Sequence, residues 1–165
     1  MTTTATAQQW VNLDGLAGVQ ASSEHPGHPA SGPVSSPAEN EWRAAGPGEQ
    51  WIRVLFAAPQ PIGTLRLVFR ERERARTQQF TVRWWSELGA NAREWVRQQF
   101  VFSPDGATEE VEEYTLNLAA VNGLELRITP DISNATDAVA SLAELRLSEP
   151  DAPGAVREAD RRSPA

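Results

Sequence analysis

The sequence predicts an all-β domain, a sandwich or a barrel of roughly six to eight short strands. Three observations carry this prediction. Apolar and polar residues alternate with a period of two in several segments, turn residues bound each segment, and no long helical pattern interrupts them. A chain of 165 residues is long enough for one domain with a real core, and too short for two comfortable ones.

Seven segments show the alternation, and the clearest is LELRIT in the C-terminal part of the chain. Its Leu124, Leu126 and Ile128 share one face, while Glu125 and Arg127 occupy the other. This is the pattern of a half-buried strand in an antiparallel sheet. The predicted strands are, in chain order, Trp51–Phe56, Ile62–Phe69, Gln78–Trp85, Glu94–Phe102, Val111–Leu118, Leu124–Thr129 and Ser141–Leu147.

The segments between and after these strands predict loops. Ala21–Ala38 is rich in Pro, Gly and Ser and predicts a long loop, and AAPQP at Ala57–Pro61 predicts a turn. Apolar residues almost disappear after residue 148. We therefore expect one domain over residues 1–148 and a disordered acidic and polar tail over residues 149–165.

The composition narrows the classes of function. The net charge is 15 − 22 = −7, so binding to the phosphates of nucleic acid is disfavoured. The absence of cysteine and lysine excludes disulfides, thiolate zinc sites, cysteine nucleophiles and Schiff-base chemistry. The sequence has no nucleophile elbow and no phosphate loop, so we do not expect an enzyme. Because no signal peptide or membrane-length apolar run is visible, we expect a cytoplasmic protein without a membrane partner.

Several short motifs occur in an order that is similar to a known family. VQASSE precedes a Pro-rich loop, WRAA follows it, and QWIRVLF and the closing ASLAELRL come later. This order resembles the discoidin-like domain, also called coagulation factor 5/8 type C, and the related galactose-binding-like carbohydrate-binding modules, over about residues 11–147. The resemblance implies a jelly-roll β-sandwich of about eight antiparallel strands, whose loops at one end form a binding site.

Many members of that family bind a structural calcium ion through loop carbonyls, an Asp before the loop Trp and a Glu in the closing strand. Here Ser35 and Ser36 stand where Asp-Gly is expected, although Asn40 and Glu144 remain. Calcium takes six to eight oxygen ligands, usually with charged ones among them. We therefore expect no cofactor and no metal site, a structural calcium being disfavoured by the lost carboxylate.

The densest charge cluster is the run from Arg70 to Arg76, which the resemblance places in a loop at the binding end. Sugar-binding relatives often have an arginine there, and its planar fork of donors suits ring hydroxyls. The alternative is a solvated loop in which Glu71 and Glu73 partly neutralise the arginines. Both interpretations stay open, and the candidate ligand-binding residues are Arg70, Arg72, Arg74 and Arg76.

Two further loops contribute polar candidates. The resemblance makes His25 and His28 in the first loop candidates for ligand contact, although they equally suit two exposed loop histidines. Their spacing of three is no helical metal pair, because the neighbouring prolines forbid a helix. The loop before the closing strand offers Asn134 and Asp137 but has no aromatic residue, which weakens the case for sugar.

The aromatic and acidic residues are assigned mainly to structure. We expect core positions for Trp42, Trp51 and Trp84, and exposed positions for Trp10, Trp85 and Trp95. Adjacent residues of a strand point to opposite faces, so Trp85 points outward and is a candidate interface residue. The acidic run from residue 105 to 113 predicts a charged, solvated sheet edge.

Two classes of function remain. The first is a non-catalytic carbohydrate-binding module that uses the loops at one end of the sandwich, and we prefer it because this is the commoner use of the fold. The second is a protein–protein interaction module, a scaffold or subunit of an intracellular bacterial assembly.

Overall fold

The computed structural model describes residues 9–35, 38, 40–86, 93–133 and 137–151. This part of the chain contains eight strands and one helical turn, and every paired strand is antiparallel. The predicted all-β class and the strand number are therefore confirmed. The elements are β1 Ala17–Ala21, α1 Ser31–Val34, β2 Trp42–Pro47, β3 Gln50–Arg70, β4 Arg76–Trp85, β5 Arg93–Phe102, β6 Glu109–Thr129, β7 Val139–Leu142 and β8 Glu144–Leu147.

Two strands of 21 residues, β3 and β6, bend so that each serves both layers of the sandwich. Residues 50–55 of β3 belong to a five-stranded sheet with the order β1-β3-β6-β4-β5. Residues 64–70 of β3 pair with the first half of β6 and with β8. These three segments form the opposing sheet. The two halves of β3 face each other, since Ile52 and Leu67 line the same small apolar cavity. β2 and β7 form a separate antiparallel pair.

The turn expected at Ala57–Pro61 lies inside β3, where the sequence pattern was misleading. The pairing with β6 shifts register between Leu55 and Thr64 but is not lost, because Gln60 still pairs with Val121. Pro59 and Pro61 have no backbone N–H to donate, so the prolines mark a bend in the ladder and not its end.

The predicted closing strand is divided between two strands. Ala143 separates β7 from β8, and its backbone N–H donates to the Val68 carbonyl at 2.9 Å. The strands β1 and β2 were not predicted, since AGVQA and WRAAGP offer few large apolar side chains.

The core between the sheets is closed by large aromatic side chains. Trp42 is fully buried as expected, and its indole N–H donates to the Ser23 carbonyl at 2.9 Å. Phe69 and Phe80 meet with their ring centroids 5.1 Å apart. Burying an aromatic ring of this size stabilises the fold by roughly 2–3 kcal/mol.

Two of the tryptophan predictions are wrong. Trp51 was expected in the core, but its partner in register is Arg127 and the Arg53 guanidinium lies 3.9 Å from its ring centroid, on the solvent side of the sheet. Trp95 was expected to be exposed, but it is half-buried against the core and its ring lies 5.4 Å from that of Tyr114. Trp95 is the extra residue of a bulge in β5, between Glu94, the partner of Arg83, and Val96, the partner of Val82. This bulge turns the indole inward.

Candidate binding site at the loop end

Several loops emerge at the same end of the sandwich, which we call the loop end. Strand register fixes this arrangement, because Gln50 pairs with Ile128, Arg70 with Glu109, and Arg76 with Phe102. Backbone hydrogen bonds then join neighbouring loops, from Glu71 N to the Thr108 carbonyl at 2.9 Å among others. The described parts of these loops are residues 22–30, 71–75, 103–108, 130–133 and 137–138.

Arg76 supports the loop end from inside. Its side chain is 2% exposed, and its Nε donates to Glu71 Oε1 at 2.8 Å. Its Nη1 donates to the Pro130 carbonyl at 2.7 Å and to Gln78 Oε1 at 3.0 Å, so it connects two loops to the sheet. A guanidinium that is buried and fully hydrogen-bonded does not reach a ligand, and we assign Arg76 to positioning the loops.

The other three arginines of the run are exposed but differ in their partners. Arg70 donates to Glu109 on the neighbouring strand at 2.8 Å, and Arg74 lies 2.9 Å from Asp137. In the part of the chain that the structure describes, Arg72 forms no hydrogen bond or ion pair. Arg72 is therefore the arginine of this run with its donors available to a ligand.

The loop that precedes β7 meets the arginine loop through Asp137. A hydrogen bond from Arg74 lowers the pKa of the Asp137 carboxyl, which keeps it ionised. Asp131 in the same loop accepts hydrogen bonds from Ser133 Oγ at 2.7 Å and from its backbone N–H at 2.9 Å, and these lower the pKa of Asp131. The predicted ligand residue Asn134 lies outside the described residues.

The two histidines form a tight turn against the edge of β2. His25 N donates to the Arg43 carbonyl at 2.7 Å, Arg43 N donates to the His28 carbonyl at 3.3 Å, and the rings are 5.6 Å apart. Each Nδ1 faces a carbonyl oxygen, of Pro26 at 2.9 Å or of Glu41 at 3.1 Å, so Nδ1 is the donor in both contacts. Among the described residues, no contact joins these histidines to the arginine loop.

The calcium site of the resembling family does not fit the residues present. The Arg146 guanidinium donates to the Ser35 carbonyl and lies 3.5 Å from Glu144 Oε1, which are the two kinds of oxygen that the ion would need. Arg66 also lies 3.5 Å from Glu144 Oε1. The Glu144 carboxylate is therefore already paired with two guanidinium groups. Ser36 lies outside the described residues. No local pattern indicates the role of Arg146, because its partner Ser35 is 111 positions away in the chain.

The acidic run from residue 105 to 113 was predicted to be a solvated edge, but two of its carboxylates, Glu110 and Glu112, lie on the inward face of β6. Glu110 is 1% exposed, because the inward face of β6 carries it together with Glu112 and Tyr114. Glu110 Oε2 is buried and accepts no hydrogen bond from the described residues. It is satisfied when it carries a proton and donates a hydrogen bond to Glu112. Burial and the neighbouring Glu112 raise the pKa of Glu110 to about 8. Burial and a hydrogen bond to Glu112 at 3.0 Å also raise the pKa of Tyr114.

Comparison with solved structures identifies the fold. A family 32 carbohydrate-binding module from Clostridium perfringens, solved with GalNAc-β-1,3-galactose, is 16% identical with a TM-score of 0.62, over 85% of this chain and 99% of that chain. The family 32 module of NanJ from the same organism, solved with galactose, is 14% identical with a TM-score of 0.60, over 86% and 99%. A pectin-binding module is 18% identical with a TM-score of 0.59, over 91% and 96%.

These similarities confirm the galactose-binding-like jelly-roll fold that the sequence motifs predicted. No family model matches the sequence, and no curated protein is similar to it in sequence. Among the described residues, no helix is both long enough and apolar enough to cross a membrane.

Proposed function

We propose that the protein is a non-catalytic carbohydrate-binding module that recognises sugar at its loop end. The observation that carries this proposal is the likeness, over nearly their whole length, to family 32 modules solved with galactose-containing ligands. The neighbours are binding modules, which supports a role in recognition and not in catalysis.

The exposed side chains of the loop end supply the chemistry that sugar recognition requires. Arg72 offers a planar set of donors that no partner neutralises within the described residues. Asp137 offers an acceptor held in place by Arg74 at 2.9 Å. Adjacent hydroxyls of a pyranose donate and accept at once, so a fixed carboxylate and an unpaired guanidinium on two adjoining loops suit such a pair. Because the Arg74–Asp137 contact forms without ligand, less ordering is needed on binding.

A glycan array followed by calorimetric titration tests the proposal. Galactose-containing oligosaccharides are the first probes, because two of the structural neighbours were solved with them. We expect Arg72→Ala to weaken binding by about tenfold, which corresponds to about 1.4 kcal/mol. Arg97→Ala is the matched control, since Arg97 is equally exposed but lies on β5 in an ion pair with Glu94. A silent array together with capture of a defined protein partner would replace sugar with protein as the ligand.

A further inference from the structure

The solvent face of the five-stranded sheet carries a second cluster of charged and aromatic side chains. Register aligns one row of residues across four strands, in which Arg53 pairs with Glu125, Glu125 with Arg83, and Arg83 with Glu94. The adjacent row aligns Trp51, Arg127, Thr81 and Arg97. This face therefore holds four arginines and two carboxylates, although the chain as a whole has a net charge of −7.

Both carboxylates of these rows are already engaged. Glu125 Oε2 accepts from Arg53 Nε at 2.8 Å, and Glu125 Oε1 accepts from Arg127 Nε at 3.1 Å. Burial opposes ionisation of Glu125, but the hydrogen bonds from the two arginines outweigh it and lower the pKa. Glu94 Oε1 accepts from two nitrogens of Arg97, at 3.1 and 2.9 Å. Neither acid forms an ion pair with Arg83 in the described part of the chain.

Arg83 is the unmatched cation of this face. Its Nε is buried and has no acceptor, and Arg83 forms no ion pair within the described residues. Leaving a buried donor of a charged group unsatisfied is costly, so such groups are normally matched by an acceptor. The buried Nε is out of reach of an outside group, but the two terminal nitrogens, which are neither buried nor hydrogen-bonded in the described part of the chain, can bind an anion.

An indole lies beside this guanidinium. Trp85 is two residues further along β4, on the same face, and its ring covers Gly123 on the neighbouring strand. A Cβ atom at Gly123 would lie 2.1 Å from Trp85 Cζ2, so the glycine is what allows the ring to lie against the backbone. Trp85 is half-buried, so part of its ring remains accessible to a ligand.

We propose that this face is a second binding site, for an acidic saccharide whose uronic acid residue places its carboxylate on Arg83 and its ring on Trp85. A guanidinium binds a carboxylate through two parallel hydrogen bonds, and an aromatic ring accepts the apolar side of a pyranose. A pyranose that carries a carboxylate meets both requirements with one ring. The site does not depend on the proposed loop-end function, because Arg83 and Trp85 lie about 23 and 30 Å along β4 from Arg76 at the usual rise of a strand.

Titration of the whole protein with oligogalacturonate and oligomannuronate, followed by NMR of the backbone amides, tests this site. We expect the shifts to concentrate in β4 and the second half of β6, and Arg83→Ala and Trp85→Ala each to weaken binding at least about tenfold. Arg83→Lys keeps the charge but loses the paired geometry, so an intermediate loss is expected. Arg66→Ala, a partly exposed arginine on the opposing sheet, should leave the affinity unchanged.

Several results would overturn the proposal. These are the absence of binding to either uronate, equal binding of a neutral galactotriose, shifts confined to residues 71–75, and wild-type affinity in Arg83→Ala. Equal affinity for an oligoglutamate peptide would show that the face recognises carboxylates in general and is not specific for a saccharide. If Arg83→Ala loses its β-sheet circular dichroism, Arg83→Gln, which keeps the bulk and removes the charge, takes its place with the same expected loss.

Discussion

The Arg74 guanidinium lies 2.9 Å from the Asp137 carboxylate and joins the loop after β3 to the loop before β7. Both side chains are exposed, so solvent screens the pair and it contributes little to stability. Its importance is therefore expected in binding, because it fixes the two loops that carry the candidate ligand contacts.

Asp137→Ala is the variant that tests this relationship. We expect weaker binding of the galactose-containing glycan by calorimetry, because an acceptor is lost and Arg74 becomes free to move. The midpoint of thermal unfolding should hardly change. A large drop in the midpoint with unchanged binding would assign the pair to stability alone.

Arg76→Ala tests the buried support of the same loops. The change removes three hydrogen bonds, to Glu71, Gln78 and the Pro130 carbonyl, and should lower the free energy of unfolding by about 3 kcal/mol. Urea denaturation measures this difference. Arg72→Ala is the control from the same loop and should stay within about 0.5 kcal/mol of wild type. Equal stability of the two variants would show that Arg76 does not anchor the loop end.

Glu110 predicts a dependence of stability on pH. Its pKa is raised from 4.5 to about 8 in the folded state, so the folded state holds this proton more tightly than the unfolded chain. The contribution of Glu110 is fully present below 4.5 and is lost as pH rises through about 8. Arg76, Glu71, Glu112 and Tyr114 are the charged or titratable neighbours that set this balance.

Glu110→Gln isolates that effect, because the amide does not titrate. Urea denaturation at several pH values measures the effect. Between pH 6 and pH 9, a range that includes the raised pKa of about 8, the wild type should lose stability relative to Glu110→Gln. Glu113→Gln, on the solvent side of the same strand, is the control and should follow the wild type. Parallel curves for wild type and Glu110→Gln would mean that Glu110 is ionised in the folded protein.

Arg146 predicts that calcium is not needed for folding. Since its guanidinium already meets the Ser35 carbonyl and Glu144, calcium or a chelator should leave the unfolding midpoint unchanged. A ligand that binds the folded state must raise that midpoint. A rise on adding calcium would therefore contradict this account, and Arg146→Ala would show whether the guanidinium competes with the ion.

The sequence was informative where local patterns decide the structure. Alternation located β4 and β5 closely, because Phe80, Val82 and Phe102 turn to the core while Gln79 and Gln99 on the opposite face pair with each other. It failed at Pro59 and Pro61, since a bend in a continuous ladder and a turn between strands carry the same local signal. It also misplaced Trp51, because the Arg53 guanidinium that covers its ring on the solvent face is a neighbour that hydropathy does not reveal.

The candidate site was predictable only in part for the same reason. The loop position of the arginine run followed from the motif order, but which arginine is free depends on Glu109, Asp137 and Glu71. Those partners come from other strands and loops, so only the fold brings them together. The burial of Glu110 likewise depends on which face of β6 turns inward.

NMR mapping of the wild-type protein with a galactose-containing disaccharide tests the central claim most directly. Sugar recognition at the loop end predicts saturable shifts in the backbone amides of residues 71–75 and 131–138, and their loss in Arg72→Ala. Saturable shifts located elsewhere on the molecule, or none at millimolar sugar, would contradict it.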